Sequence, residues 1–249
     1  MRASQNDAPK EFMAADAAVA ERAAVKPAGL AAAELADLNQ RYQPLSFEQR
    51  LQQLYREFDV AQVLVTSSFA ATSAYFLHII SRLAPRQKIA FINTGFHFGE
   101  THEYKKYLTE KFSLDVFDVK AEDWKHLFTV DDKTYEKDPD YCCAINKVEP
   151  LDAIKPNYRI WMSSLMAWQT DNRAAMHIFE ERRGIVKFNP MIDVTRAERD
   201  AYIREHGLPF HPLVAEGYSS IGCTHCTVKG EGRSGRWAGK AKTECGLHL

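Results

Sequence analysis

No apolar run in this chain reaches the roughly 20 residues that a membrane-spanning helix needs. Charge of one sign is missing too. Lys and Arg number 32 against 33 Asp and Glu, a formal net charge of −1, so there is no bulk basic field for nucleic acid or an anionic membrane surface. The first residues are polar and then alanine-rich, without the charged and apolar regions of a secretory signal peptide. Neither an internal repeat nor a low-complexity linker follows residue 30. Apolar residues make up 45% and charged residues 26% of 249, the balance of a globular protein long enough to bury one α/β core with appendages.

Cysteine is scarce, and its grouping is informative. Cys142 and Cys143 are adjacent, Cys223 and Cys226 form Cys-Thr-His-Cys, and Cys245 stands near the C-terminus. Four thiols in two close pairs with one left over suggest a four-thiolate metal site plus a free thiol. A C-x-x-C turn gathers two sulfurs at one point, as zinc and iron–sulfur sites require. Adjacent cysteines are awkward disulfide partners. They also depart from the spacing zinc prefers, which tilts the choice towards iron–sulfur and keeps zinc as the alternative. The plain reading is five incidental thiols. Thiols of this kind fit a reducing, cytoplasmic setting.

Along the chain, residues 1–45 read as a flexible or helical extension, with residues 1–30 mobile or loosely helical. Residues 46–228 read as an α/β domain and 229–249 as a mobile C-terminal segment rich in glycine and basic residues. Helical spacing runs through Leu35, Leu38 and Tyr42, then through Phe47, Leu51, Leu54 and Phe58, with Ser46 and Gln49 as a capping box. Val60 to Val65, Lys88 to Ile92, Leu114 to Val119, Arg159 to Leu165 and Ile185 to Pro190 predict five strands, short and apolar as in a buried parallel sheet. Helices are expected over 74–83, 104–112, through Val148 and Leu151, and after Thr195, which with Glu198 forms a second capping box. Residues 120–141 show no clear period and read as a surface excursion.

Three stretches carry further chemistry. The first strand runs into Thr66-Ser67-Ser68-Phe69-Ala70-Ala71-Thr72-Ser73, whose backbone and hydroxyls (Ser67, Ser68, Ser73) could hold a phosphate. The absence of glycine there leaves an ordinary β–loop–α connection as the alternative. The second strand ends in Asn93-Thr94-Gly95 and leads to Glu100-Thr101, polar groups at a carboxyl strand end, where open α/β sheets bind ligands. Glu100 equally suits the start of a helix, and His97 reads as a turn residue rather than a base. Lys147 falls about one helical turn beyond the cysteine pair, on a face it can share with them; a solvated lysine is the alternative.

Four segments complete the pattern: Cys-Cys-Ala-Ile-Asn-Lys-Val-Glu-Pro-Leu (142–151), Gly-Tyr-Ser-Ser-Ile-Gly-Cys-Thr-His-Cys-Thr (217–227), Arg-Ser-Gly-Arg-Trp (233–237) and Glu-Cys-Gly-Leu-His (244–248). In this order they resemble the sulfonucleotide reductases, from about residue 45 to the end. The resemblance implies an open, mainly parallel sheet with helices on both faces, of the adenine-nucleotide alpha-hydrolase-like (ATP-pyrophosphatase) type. It implies thioredoxin- or glutaredoxin-dependent reduction of adenylyl sulfate to sulfite and AMP, through an S-sulfocysteine on Cys245. It further implies a [4Fe–4S] cluster on Cys142, Cys143, Cys223 and Cys226, and substrate contacts from Ser67, Ser68, Ser73, Thr94, Gly95, Glu100, Lys147, Arg233, Arg236 and His248. Homo-oligomerisation is left open.

The chain departs from the family pattern twice. Ala70 and Thr72 stand where a glycine and an acidic residue are usual, and Met166-Ala167 where two arginines follow the fourth strand. The loss of those arginines bears on which nucleotide is preferred, so the 3′-phosphorylated substrate remains the close alternative. A ligase or sulfurtransferase of the same fold would want a Ser-Gly-Gly-x-Asp-Ser loop, which this chain lacks. A non-catalytic iron–sulfur protein gives no reason for the Glu-Cys-Gly-Leu-His tail.

Overall fold

The computed structural model describes residues 30–248. The expectation for residues 1–29 lies outside the described residues; from Ala32 on, the extension is helical, as its apolar spacing predicts. Ala32–Tyr42 (α1) packs on the core, with Tyr42 edge-on to Phe179 and Phe188 at 4.8 and 5.8 Å between ring centroids. Phe47–Glu57 (α2) starts at the expected box: the Gln49 N–H donates to the Ser46 hydroxyl at 3.4 Å and the Ser46 N–H to Gln49 Oε1 at 2.9 Å.

The α/β core follows as Val63–Thr66 (β1), Ser73–Leu83 (α3), Lys88–Ile92 (β2), Gly99–Phe112 (α4) and Asp115–Val119 (β3). A helical excursion comes next: Asp123–Asp131 (α5), Thr134–Lys137 (α6), Pro139–Cys143 (α7), a π-helical turn over Ala144–Val148, and Glu149–Ile154 (α8). The chain then returns through Ile160–Met162 (β4), Asp171–Ala174 (α9), Phe179–Arg182 (β5), Ile185–Phe188 (β6) and Arg196–Glu205 (α10). The strand order is β3-β2-β1-β4-β6-β5, parallel except for β5. Alternate residues face opposite layers, as a pleated strand requires. Val63, Val65, Ile89, Phe91, Ile160, Met162, Val186 and Phe188 enter one apolar cluster with α1–α4 and α10. Leu64, Ala90, Trp161 and Ile185 enter the other with Leu151 and Ile154 of α8. Each large side chain so buried contributes about 1.5–3 kcal/mol.

Two expectations are corrected. Residues 120–141 are helical rather than irregular. Their period is hard to read because the apolar side of α5 faces solvent: Trp124 is 66% exposed and Leu127 56%. An edge strand, β5, was also not anticipated. Its Phe-Glu-Glu-Arg sequence buries little beyond Phe179 and reads as polar, and the turn at Arg183 and Gly184, both at positive φ, pairs it back on β6.

Arg50 ties the amino-terminal helices to the loop after β6. Buried, it donates to Tyr42 O and Pro190 O, each at 3.0 Å, and grips Asp193 in a fork at 2.5 and 2.6 Å. Arg50→Ala would remove the donor to three carbonyls, those of Tyr42, Gln43 and Pro190, and to the Asp193 carboxylate. It should destabilise the fold by about 2–4 kcal/mol, visible in calorimetry as a thermal midpoint lowered by roughly 5–10 °C. An unchanged midpoint would show the tie to be idle.

Candidate active site

In the sheet β1 lies between β2 and β4, while the chain leaves β1 for β2 and β3 on one side and returns to β4 on the other. At such a switch point the loops diverge and open a crevice at the carboxyl ends of the strands. A cavity of about 390 Å³ occupies it, lined by residues 66–73 after β1, 163–166 after β4, 219–222 and the tail. The β1 loop turns at Phe69, held at φ +47° with its ring buried against Phe91, while Ser67 Oγ accepts the Phe69 N–H at 3.2 Å. Ser67, Ser68 and Ser73 all line the cavity, and α3 begins without a side-chain cap.

Beside the cavity the four paired cysteines converge from α7 and the 223–226 turn. Cys142, Cys143 and Cys223 are buried and Cys226 half-buried, all as free thiols. Burial and the neighbouring thiols push Cys142 up to about 12, and burial likewise raises Cys143 and Cys226. Burial opposes ionisation of Cys223 as well, but the Lys147 ammonium, the Thr94 hydroxyl at 3.4 Å and Arg236 outweigh it and hold that thiol below its ordinary value. Lys147 projects from the π-helical turn. Burial disfavours its charge, yet Cys223, Cys143 and Cys245 hold its pKa above the usual lysine value. Among the described residues no group of three or more His, Cys, Asp or Glu is disposed to hold a single metal ion.

The tail is laid into the cavity from both sides of Cys245. Glu244 is only 2% exposed. Its carboxylate accepts from Arg173 at 2.7 and 2.9 Å, from Thr170 at 2.8 Å and from Arg233 at 3.3 Å. Burial works against this carboxylate, but the two arginines keep its pKa below the ordinary range. On the other side His248 is stacked on Trp161 at 5.5 Å, and its carbonyl accepts from Asn172 at 3.1 Å. Burial holds His248 well below the usual histidine pKa, so it is a neutral wedge rather than a cation beside the thiol.

Most sequence-predicted residues meet here: Ser67, Ser68, Ser73, Lys147, Arg233, Arg236, Cys245 and His248 all line the cavity. Thr94, Gly95 and Glu100 are not in its lining. Thr94 faces Cys223, a Cβ on Gly95 would collide with the His126 ring, and Glu100 sits in the first turn of α4 within electrostatic reach of His211. His97 does reach the cavity, held neutral by burial with its pKa down to about 4 and its Nε2–H donating to Ile92 O at 3.0 Å. Sequence reasoning missed Trp161, Trp168, Arg173, Arg196 and Arg199. Nothing local marks Arg173, which lies 71 residues from the carboxylate it holds.

Residues 62–229 match the model of the phosphoadenosine phosphosulfate reductase domain. The chain belongs to the sulfonucleotide reductase family. This reductase is 39% identical over 234 residues to an adenosine 5′-phosphosulfate reductase of Chelativorans sp. (strain BNC1), covering 91% of this chain and 96% of the relative. It is 36% identical to a phosphoadenosine 5′-phosphosulfate reductase of Gloeobacter violaceus, over 88% and 95%. Among solved structures, phosphoadenylyl-sulfate reductase from Candida auris superposes with a TM-score of 0.68 at 26% identity, over 80% of this chain and 98% of that one. Candida glabrata FMN adenylyltransferase, at 0.51 and 12% over 79% and 73%, shares the fold alone.

Glu244, the residue before Cys245, is fixed by Arg173 and Arg233, which restrains the backbone at that point. Glu244→Ala would leave Arg173 and Arg233 buried face to face without a countercharge. Turnover is expected to fall about 100-fold through misplacement of Cys245, while nucleotide binding, followed by calorimetry, persists. A variant with full turnover would remove Glu244 from any positioning role.

Proposed function

We propose that this chain reduces adenylyl sulfate to sulfite and AMP, with Cys245 as the nucleophile. The observation that carries the reading is the placement of the Cys245 side chain in one cavity with Lys147, Arg233, Arg236 and the serine-bearing β1 loop. Relatives named as adenosine 5′-phosphosulfate reductases support the substrate. Lys147 and Arg233 both lie within electrostatic reach of Cys245.

The thiolate attacks the sulfate sulfur. The bond from sulfur to the bridging phosphate oxygen breaks, its electron pair leaves with AMP, and an S-sulfocysteine remains. Arg236 and Arg233 can hold phosphosulfate oxygens in forks, and with Lys147 they offset the charge that grows on the departing phosphate. Arg233 already donates to Thr243 O at 2.8 Å and to Glu244, so it joins the tail to the substrate end of the cavity. In the second step a thiolate of thioredoxin or glutaredoxin attacks Cys245 Sγ and sulfite leaves with the bonding pair. The partner's second thiol then resolves the mixed disulfide and returns Cys245 as thiolate. Reductants of this kind are kept reduced in the cytoplasm, which supports a cytoplasmic setting for this step.

Cys142, Cys143, Cys223 and Cys226 are the residues that would hold a [4Fe–4S] cluster. They fit it in donor chemistry: four converging thiols, largely buried, with a buried ammonium to balance their charge. The cluster would supply a structural tie and negative charge beside Lys147. Replacing any one of the four by Ser should lose iron and sulfide together, with the brown absorbance near about 400 nm. Full iron content in two or more of these variants would remove the assignment.

Cys245→Ser should bind nucleotide yet form no sulfite, because serine supplies no thiolate at neutral pH. In the unaltered chain, substrate without reductant should leave one adduct per subunit. Intact-mass analysis should read it as about 80 Da, the mass of SO₃. Turnover by the serine variant, or an adduct on another cysteine, would sink the proposal.

A further inference from the structure

The turn that follows β2 serves both cysteine pairs. Thr94 reaches Cys223 at 3.4 Å. The next two residues seat the ring of His126, on α5. Phe96 packs against it at 4.8 Å between centroids. Gly95, at φ +73°, leaves it room, since a Cβ at that position would collide with the imidazole. His126 is half-buried and is not in the cavity lining, so the reaction at Cys245 leaves it unused. Its ring faces the π-helical turn after α7, where Asn146 is only 2% exposed. Lys125 braces α5 on the same region by donating to Glu149, the first residue of α8, at 2.7 Å.

The hydrogen-bond partners fix every proton in this corner. Asn146 Nδ2 lies 3.0 Å from Thr129 Oγ1, 3.1 Å from Cys142 O and 3.7 Å from Cys142 Sγ. The Thr129 hydroxyl gives its hydrogen to His126 O at 2.7 Å, so its oxygen accepts from Asn146. Cys142 O can only accept. The Asn146 amide must therefore turn its NH₂ towards Thr129 and Cys142, and its carbonyl oxygen towards His126. That oxygen lies 3.0 Å from His126 Nδ1, so the imidazole must carry its proton on Nδ1 and donate it there. One N–H of the amide goes to Thr129, and the other is shared between the carbonyl and the sulfur of Cys142. A sulfur bearing negative charge draws that shared hydrogen more strongly, because charge-assisted bonds are about twice as strong as neutral ones. Nothing local announces the relay, since His126 lies 20 residues from Asn146.

We propose that His126 is a positioning residue for the iron–sulfur cluster: through the Asn146 amide it keeps a hydrogen bond on the Cys142 sulfur. The proposal rests on the cluster reading above. An amide without a donor at its oxygen is free to rotate, and the rotated form would turn that oxygen on the Cys142 carbonyl and on a thiolate. The Nδ1–H of His126 excludes this orientation. A hydrogen bond to a ligand sulfur stabilises its negative charge, which favours thiolate over thiol and raises the reduction potential of the cluster. Gly95 then has a role at the thiols, as the residue that makes room for the ring. Loss of a group that orients a metal ligand in this way costs roughly 10–100-fold in metal affinity.

The test compares the full chain, purified without oxygen, with His126→Phe and His126→Asn. Phenylalanine keeps a ring against Gly95 and Phe96 but removes the donor, whereas asparagine places an amide nitrogen near the position of Nδ1. His126→Phe should release iron to a chelator about tenfold faster than the unaltered protein, and spectroelectrochemistry should read a lower cluster potential. His126→Asn should restore both. In protein labelled at the histidine nitrogens, the NMR signals lost in His126→Asn should be those of an Nδ1–H tautomer, a result that stands even where the Phe variant does not fold. Unchanged release and potential in His126→Phe overturn the proposal, as does an Nε2–H tautomer. A His126→Asn variant that behaves like His126→Phe also overturns it, by assigning the effect to ring packing. Absence of iron and sulfide from the unaltered protein instead overturns the cluster reading, and the relay with it.

Discussion

An ammonium group without access to water has to be matched by negative charge at close range, and Lys147 sets that requirement at the centre of this molecule. Its burial alone would favour the neutral amine. What favours its charge is chiefly Cys223 on the 223–226 turn, the thiol held below its ordinary value, with Cys143 on α7 and Cys245 on the tail also within electrostatic reach. The dependence runs both ways, since Lys147 is also the largest influence favouring ionisation of Cys223. The π-helical turn matters here. It carries Asn146 and Lys147 directly after α7, and Asn146 donates to Cys142 O and Thr129 Oγ1 at 3.1 and 3.0 Å. The paired thiols and Cys245 thus lie around one buried cation.

The tail obeys a related rule on the other side of the cavity. A carboxylate as deeply buried as that of Glu244 needs its charge fully satisfied, and Arg173, Arg233 and Thr170 do this. The backbone leaving Glu244 therefore has little freedom at Cys245, and the His248–Trp161 stack limits it again three residues later. Cys245 and His248 line the same cavity as Ser67, Lys147 and Arg236. Lys240 and Lys242 also bond to backbone carbonyls of residues 135–139, so the segment bearing Cys245 is tied to the one bearing Cys142 and Cys143.

Much of the fold was legible because its signals are local. Strands β2 and β3 fall almost where short apolar runs put them, and both capping boxes form as their spacing demands. Val60–Gln62, expected as strand, instead makes a 3₁₀ turn capped by Asp59, whose carboxylate accepts the Ala61 N–H at 2.8 Å. The excursion through α5 was not legible because exposed Trp124 and Leu127 break the link between apolarity and burial on which periodicity depends. The polar edge strand β5 was hidden for the converse reason.

By itself the sequence determined which chemical groups are available: two cysteine pairs, a lone carboxy-terminal cysteine, a lysine one turn beyond the first pair, and two arginines near the tail. Cysteine pairing and helical spacing act over a few residues, so they can be read along the chain. Only the tertiary structure decided which of these groups meet. It turned Thr94 towards Cys223, packed Gly95 against the His126 ring, held His248 neutral against Trp161, brought Arg173 to Glu244 and set Arg196 and Arg199 on Trp168. Each of those outcomes is an electrostatic or packing match between residues distant in the chain. Burial, which fixes the strength of such matches, exists only once the sheet has closed its two layers around them.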